Sequence, residues 1–200
     1  MFSPTSDQID AFHNALNELA EPDCCYTSFA FFLAAEIDAM IQQTSSLLFR
    51  TATAIVGNNV HQDMEVCFPA PRQGVFDECA TLLETLIHGW SGFKDNMLPD
   101  FQLNDFAVQK YGAGSKGIGI HKDGLRYKNL VMIITLSGES RLFYTDKRED
   151  GQRIAINDTP GRIVLLKATE FGRSKQDMRA LHGVDNIKSG RLSIGFRYEA

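Results

Sequence analysis

The sequence predicts an α+β protein with a mainly β core, in which N-terminal helices support a two-sheet jelly roll. The first hundred residues place apolar side chains at helical spacing. Residues 104–200 instead contain short apolar runs at intervals of about 8–12 residues, separated by turn-forming residues. The 200 residues are 44% hydrophobic, which fits one domain that buries its core without disulfides. We expect a single domain, with residues 1–103 as mainly helical support and cover and residues 104–200 as the β core.

The first half contains three predicted helices. The first follows a capping-box pattern at Thr5 and Gln8. The second is apolar on most faces, so we expect it to be buried. Residues 46–56 fit a strand, and residues 57–74 fit a loop rich in glycine, asparagine and proline. The helices are predicted from Thr5 to the residue before Pro22, from about Thr27 to Gln43, and from Phe76 to Gly89 or Gly92.

The second half contains eight predicted strands, enough for the two packed sheets of a jelly roll. Glycine-containing turn signals, such as Ser137-Gly138 and Pro160-Gly161, separate them. The helices of the first half would then cover the outer face of one sheet. The strands are predicted near Asp105–Lys110, Gly117–Lys122, Asn129–Leu136, Arg141–Thr145, Gln152–Ile156, Arg162–Lys167, Ala180–Val184 and Arg191–Tyr198.

Charge is divided unevenly between the two halves. Residues 1–100 hold 14 acidic and three basic side chains, whereas residues 101–200 hold 11 acidic and 17 basic ones. The first half therefore nets -11 and the second half +6, although the whole chain nets only -5. Halves this different suggest different roles. The basic half keeps an anionic partner open, whereas the acidic half and a pI near 5.5 argue against a broad nucleic-acid footprint.

Location can be predicted from the termini, the apolar runs and the cysteines. The N-terminus lacks the basic start and apolar run of a signal peptide, and no apolar run is long enough to span a membrane. The four cysteines form no CxxC pair, and adjacent Cys24 and Cys25 do not suggest a disulfide framework. We expect buried, reduced thiols in a cytoplasmic protein with no membrane partner. Trp90, the sole tryptophan, is expected in the core.

The first chemical signal is His121-Lys122-Asp123 at the end of the second predicted strand. Residues i and i+2 of an extended segment point to the same face, so this imidazole and carboxylate project together. His182, in the seventh predicted strand, is the candidate third ligand. Two histidines and one carboxylate on one face leave open positions on an octahedral iron(II) ion. The alternative is a structural histidine at a strand end, with Asp123 as a turn residue.

The last predicted strand has one polar and one apolar face. Arg191, Ser193, Gly195 and Arg197 alternate with Leu192, Ile194 and Phe196. A dicarboxylate would explain the polar face, because an arginine fork pairs bidentately with a carboxylate. Gly195 would leave room for that ligand. The alternative is a half-exposed edge strand with solvated arginines.

A second His-x-Asp motif, His61-Gln62-Asp63, competes with the first. The position nine residues after His121 is Leu130, so a pairing of His61 and Asp63 with His121 would lack the anchoring arginine that follows His182. We therefore reject that pairing and expect His61 and Asp63 on a surface loop.

Together these motifs resemble the iron(II)/2-oxoglutarate-dependent oxygenases over roughly residues 104–200. His121-x-Asp123, His182 and Arg191 match the superfamily pattern, and Arg191-Leu-Ser193 is similar to its Arg-x-Ser anchor. Tyr111 resembles the tyrosine that contacts 2-oxoglutarate. Arg191-x5-Arg197 and Gln109-x-Tyr111 resemble AlkB-like members, although Gln109 replaces their asparagine. The resemblance implies a double-stranded β-helix, which is a jelly roll, and covers none of residues 1–103.

The resemblance also implies a role for each site residue. His121, Asp123 and His182 would bind iron(II), and Arg191 with Ser193 would hold the distal carboxylate of 2-oxoglutarate. Tyr111 and Arg197 would contact the same cosubstrate. Dioxygen would be the second cosubstrate, and the products would include succinate and carbon dioxide. Related halogenases lack the carboxylate ligand, so Asp123 implies hydroxylation or oxidative demethylation.

The substrate is left open between classes. The favoured function is a dioxygenase that hydroxylates a small molecule or an amino-acid side chain, and an anionic substrate fits the basic half. The alternatives are an AlkB-like demethylase of nucleic acid and a jelly-roll module that binds metal without turnover. Residues 124–128 are a candidate substrate rim, and the polar loop 170–178 is a candidate lid or a solvated loop. The oligomeric state is not predicted.

Overall fold

A computed structural model describes residues 2–57, 59–149 and 151–200. Two antiparallel sheets face each other, and the helices lie against one of them. The α-helices are α1 (Ser6–Ala20), α2 (Ala34–Thr44), α3 (Val75–Gly89) and α4 (Phe93–Asn96), and a short 3-10 helix spans Phe171–Arg173. The strands of the first half are β1 (Tyr26–Ala30), β2 (Arg50–Thr51), β3 (Ile55–Val56), β4 (Val60–Asp63) and β5 (Glu65–Cys67).

The second half forms the eight strands that its sequence predicts. Four of them, β11, β8, β13 and β6, are consecutive in the seven-stranded sheet, and β10, β9, β12 and β7 are consecutive in the six-stranded sheet. This is the predicted double-stranded β-helix. The strands are β6 (Asp105–Tyr111), β7 (Gly117–His121), β8 (Tyr127–Gly138), β9 (Arg141–Thr145), β10 (Ile154–Ala155), β11 (Arg162–Lys167), β12 (Leu181–Asp185) and β13 (Arg191–Glu199).

The larger sheet has the order β1-β11-β8-β13-β6-β5-β2 and carries the helices on its outer face. The core between helices and sheet, called here the helix–sheet core, is apolar and fully buried. Its members include Phe12 of α1, Phe76 of α3 and Phe196 of β13, and the Phe106 and Phe196 rings stack with centroids 4.7 Å apart. The capping box of Thr5 and Gln8 starts α1 as predicted.

The smaller sheet has the order β10-β9-β12-β7-β4-β3. Between the two sheets lies a second core, called here the intersheet core, which contains apolar residues such as Val131, Leu142 and Val164. Polar side chains are also buried between the sheets, among them His182 and Arg191. The candidate site therefore lies inside the barrel rather than on its outer surface.

Three predictions in the first half are wrong. The segment predicted as a helix from Thr27 to Gln43 begins with β1, whose Phe29 pairs with Ile163 of β11, and α2 starts only at Ala34. The predicted strand over residues 46–56 is reduced to the two short strands β2 and β3. The predicted loop over residues 57–74 instead contains β4 and β5, which join opposite sheets. These strands are short and depend on distant partners, so local periodicity does not reveal them.

The buried position predicted for Trp90 is confirmed. Trp90 is buried, and its indole donates a hydrogen bond to Asn17 Oδ1 at 2.7 Å. All four cysteines are free, with Cys67 and Cys79 buried and the other two partly buried. Within the described residues, no helix combines the length and the apolar character needed to cross a membrane.

Candidate metal and cosubstrate site

The structure brings the three predicted metal ligands together. His121 ends β7, Asp123 follows two residues later, and His182 lies directly opposite His121 on β12. One ligand atom from each residue lies within 4.8 Å of the others, and the two imidazole centroids are 4.3 Å apart. His182 Nε2 is 3.4 Å from Asp123 Oδ2. Among the described residues this is the only such cluster of three.

Backbone carbonyls orient both imidazole rings. His121 Nδ1 lies 2.9 Å from the Gly119 carbonyl oxygen, and His182 Nδ1 lies 3.1 Å from that of Ala180. Because a carbonyl oxygen only accepts, each Nδ1 carries the hydrogen and donates it. Each Nε2 then keeps a free lone pair, the form in which histidine binds a metal.

The protonation states suit metal binding as well. Burial, together with the neighbouring His182, lowers the pKa of His121 to about 4, so its ring is neutral near pH 7. Burial alone would raise the pKa of Asp123, but the Arg197 guanidinium and the two histidines lower it below its usual value. A neutral imidazole and an ionised carboxylate are the states that ligate a cation.

Arg197 lies against a metal-ligand candidate. Its Nε donates to Asp123 Oδ1 at 3.2 Å, and its Nη1 lies 3.5 Å from Asp105 Oδ1. A Cβ atom added at Gly195 would approach Arg197 Nη1 to 3.2 Å. The missing side chain at Gly195 thus makes room for the Arg197 guanidinium, whereas the sequence suggested room for a ligand. The predicted contact of Arg197 with the cosubstrate stays a prediction.

Arg191 is buried, and one nitrogen of its guanidinium is hydrogen-bonded to two neighbouring side chains. Its Nη1 donates to Asp158 Oδ2 and, at 3.0 Å, to Ser140 Oγ. The Thr135 hydroxyl donates to the same Asp158 oxygen at 3.0 Å. Asp158 therefore fixes the guanidinium and balances part of its charge.

Three buried polar atoms of β6 and β13 have no hydrogen-bond partner within the described residues. They are Arg191 Nε, the Tyr111 hydroxyl and the Ser193 hydroxyl. Arg191 pairs with Tyr111 across β13 and β6, and Ser193 pairs with Gln109 in the same register. Arg191, Tyr111 and Gln109 line an interior cavity that also contains His121 and His182. A buried donor without a partner costs about 1–3 kcal/mol, so Arg191 and Tyr111 at this cavity, with Ser193 on the same strand as Arg191, fit a polar ligand.

An open cavity of about 630 Å³ leads from the surface to His121 and Asp123. The predicted rim lies on it, since residues 124–127 are among its lining. The loop 170–178 contacts the site indirectly: Asp177 accepts hydrogen bonds from Arg179, and Arg179 Nη1 donates to the Asp123 carbonyl oxygen at 2.6 Å. Closure of this loop as a lid stays a prediction.

The second His-x-Asp motif is separate from the cluster. His61 and Asp63 lie on strand β4 and are exposed, so the predicted surface position is correct and the predicted loop is wrong. The carboxylate of Asp63 accepts a hydrogen bond from the Lys116 backbone N–H at 2.7 Å. Sequence reasoning missed Asp158, which precedes a Thr-Pro-Gly turn and carries no motif of its own.

Comparison of the whole structure with solved structures identifies its fold. A prolyl hydroxylase from Trichoplax adhaerens, solved with a hypoxia inducible factor peptide fragment, aligns at TM-score 0.66 and 15% identity, over 98% of this chain and 93% of that one. A 2OG-Fe(II) oxygenase family oxidoreductase from Burkholderia pseudomallei aligns at 0.62 and 12%, over 99% and 93%. The non-heme alpha ketoglutarate dependent epimerase SnoN from nogalamycin biosynthesis aligns at 0.64 and 11%, over 96% and 83%.

No family model and no curated protein matches this sequence. The chain nevertheless has the double-stranded β-helix fold that these iron(II)/2-oxoglutarate oxygenases share, which confirms the predicted fold. At these identities the likeness extends to the fold, and the site must be argued from its own residues.

Proposed function

We propose that this protein is an iron(II)- and 2-oxoglutarate-dependent dioxygenase that hydroxylates a small molecule or an amino-acid side chain. One observation carries the proposal: the His-Asp-His cluster shares an interior cavity with Arg191 and Tyr111, each of which has a buried donor without a partner in the described chain. The cluster fits a cation, and the donors fit an anion. A cosubstrate that reaches both with its two ends satisfies both requirements.

His121, Asp123 and His182 would hold iron(II). Their contribution is a fixed set of ligand atoms, because backbone carbonyls orient both rings and Arg197 holds the carboxylate. When bound, the metal supplies the activation of dioxygen that oxidises a substrate C–H bond as 2-oxoglutarate is decarboxylated. The remaining tasks of binding, orientation and water exclusion belong to the chain.

Arg191, Ser193 and Tyr111 would hold the distal carboxylate of 2-oxoglutarate. A carboxylate has about four lone-pair sites, and these three side chains offer unpartnered donors to it. Burial raises the pKa of Tyr111 to about 12, so the hydroxyl keeps its proton and donates. Asp158 would position Arg191 by holding Nη1 and leaving Nε for the ligand.

Asp123 also bears on the reaction outcome. Its carboxylate fills a ligand position that halogenases of this superfamily leave for chloride, which favours hydroxylation. Arg197 restrains that carboxylate at 3.2 Å and would keep it directed at the metal. In this proposal Arg197 acts as a positioning residue for Asp123.

The test measures iron and cosubstrate binding together with turnover. Anaerobic addition of iron(II) and 2-oxoglutarate should produce a visible charge-transfer band, and oxygen should then give slow succinate formation even without substrate. His121→Ala, Asp123→Ala and His182→Ala should each weaken iron binding at least about 10-fold, by analogy with other metal sites.

His61→Ala is the matched control, because it removes the histidine of the other His-x-Asp motif from an exposed strand. It should retain full iron affinity. Unchanged iron affinity in all three cluster variants, or absence of the band and of succinate in the unmodified protein, would refute the proposal.

A further inference from the structure

The cavity in front of His121 and Asp123 has two contrasting walls. One wall is mainly apolar and follows β4, β5 and the residue after each of these strands, with Gln62 as a polar member. The other wall carries five cationic side chains, whereas Asp123 is the only carboxylate among the lining residues described. The apolar wall contains Val60, Met64, Val66 and Phe68, and the cationic wall contains Lys122, Arg126, Arg148, Arg179 and Arg197.

Four of the five cations already have carboxylate partners. Arg197 pairs with Asp123 and Asp105, and Arg126 lies 3.8 Å from Asp105 and 3.6 Å from Glu199. Lys122 and Arg179 share Asp177, at 3.0 Å and 2.8 Å. Taken together, these four cations contact four carboxylates, so as a group they offer little net attraction to a ligand.

Arg148 is different. Its side chain donates from Nη1 to the Ile120 carbonyl oxygen at 2.9 Å, and no carboxylate of the described chain lies within ion-pair distance of it. A guanidinium has five N–H donors, so most of them remain available. The hydrogen bond fixes the charge beside the residue that precedes His121. Among the described residues, Arg148 is thus the cation of this wall that is held in position without a carboxylate partner.

The rim also exposes apolar surface. Leu125 is 67% exposed and Val56 is 37% exposed, and both line the cavity. Exposed apolar side chains grouped around a concave site favour an apolar ligand surface. The wall and the rim together would contact a hydrocarbon body, and Arg148 would contact its charged end.

We propose that this cavity binds a small substrate with an apolar body and a terminal oxyanion, either carboxylate or phosphate, and that Arg148 binds the oxyanion. The inference rests on the proposed function, because it places this ligand in front of the metal ligands. It makes Arg148 a specificity-determining residue. A single uncompensated cation fits one anionic group better than a polyphosphate backbone, which requires several such contacts.

The test compares ligands that differ only in the head group. Octanoate, octyl phosphate and neutral octanol are titrated calorimetrically into the anaerobic protein with iron(II) and saturating 2-oxoglutarate, which keeps Arg191 occupied. The two anions should bind at least 10-fold more tightly than octanol. Arg148→Gln should remove that preference and leave the affinity for 2-oxoglutarate unchanged.

Arg173→Gln is the matched control. Arg173 is also exposed and also donates to a backbone carbonyl, that of Lys94 at 2.5 Å, but it lines a different cavity. This variant should keep the preference for anions. Acetate should bind weakly to every variant, because it lacks the apolar body.

Three outcomes would overturn the inference: equal binding of octanol and octanoate, no binding of any octyl ligand, or an anion preference that survives Arg148→Gln. Binding of single-stranded oligonucleotides that depends on Arg148, without binding of octanoate, would assign the cavity to nucleic acid instead. The charge-transfer band with iron(II) and 2-oxoglutarate distinguishes failure of this inference from failure of the proposed function. Loss of octyl-ligand binding with an intact band contradicts only this inference.

Discussion

The two cores of this protein contain different chemistry. The helix–sheet core is filled by aromatic and aliphatic side chains such as Phe12, Phe76 and Phe196, all fully buried. The intersheet core buries Arg191, Ser193 and Tyr111 almost as completely, yet leaves a polar atom of each without a partner. Burial in the first core stabilises the fold, whereas burial in the second costs stability until a ligand supplies the missing bonds. Under the proposed function, the two faces of the larger sheet therefore serve stability on one side and ligand binding on the other.

The largest effect is expected from Phe76→Ala in the helix–sheet core. Removal of a fully buried aromatic ring should lower the free energy of unfolding by about 3–5 kcal/mol, measured by denaturant titration. Leu48→Ala is the control, because Leu48 is 90% exposed and should cost less than about 0.5 kcal/mol. The folded Phe76→Ala protein should retain its 2-oxoglutarate affinity. A large loss of that affinity would show that the two cores are not independent.

Arg191→Met removes a buried guanidinium from the region between the two sheets. It should weaken 2-oxoglutarate binding by roughly 100-fold, because charge-assisted hydrogen bonds contribute about 1.5–3 kcal/mol each. It should also destabilise the fold, because Asp158 would remain buried without its cation. Adding Asp158→Asn should recover stability but not cosubstrate affinity. Recovery of both by the double variant would contradict the assignment of Arg191 as the anchor.

Tyr111→Phe sharpens the comparison further. The hydroxyl has no partner in the part of the chain that the structure describes, so its removal should leave the unfolding free energy unchanged or raise it by up to about 1 kcal/mol. The affinity for 2-oxoglutarate should nevertheless fall about 5-fold, from the loss of one hydrogen bond. Calorimetry and thermal unfolding measure the two quantities. Thr135→Val is the contrasting control, because its hydroxyl bonds to Asp158 and its loss should reduce stability. A Tyr111→Phe protein that is clearly less stable would mean that the hydroxyl has a structural partner.

The smallest effect concerns the pH dependence of the helical half. Burial alone would raise the pKa of Glu84, but the Arg72 guanidinium and the Leu103 N–H lower it below its usual value. A lowered pKa gives stability that is complete above the unfolded-state pKa and is lost as the pH falls through the folded-state value. Glu84→Gln should therefore flatten the decline in stability below about pH 4.3, the ordinary glutamate value. Urea titrations at several pH values measure this, and identical acid profiles would exclude the pair as a contributor.

The sequence predicted the second half well because its information is local. Alternating apolar residues and turn signals mark each of the eight strands, and strand periodicity places Asp123 near His121. The proximity of His182 to His121 and Asp123 could be inferred only from the motif pattern. Its physical cause is the antiparallel pairing of β12 with β7.

The parts that sequence reasoning missed depend on long-range pairing. The local sequence of β1 predicts a helix, and its strand conformation depends on the pairing of Phe29 with Ile163 of β11. The sequence predicts a loop where the apolar wall of the cavity lies, because β4 and β5 are short and pair with strands roughly 40 to 56 residues further on. Asp158 acquires its role only when folding brings it under Arg191. Neither the composition nor the spacing of residues in the sequence predicts the contact between Asp158 and Arg191.

The position of His182 opposite His121 has a consequence for how the protein matures. The two histidines are distant in the chain and meet only when β12 has paired with β7 in the correct register. A slip by one residue would turn His182 to the opposite face of the sheet. Under the proposed assignment, a nascent chain cannot load its metal before this sheet has closed. Metal binding by all three ligands would then report that the two strands have paired in the correct register.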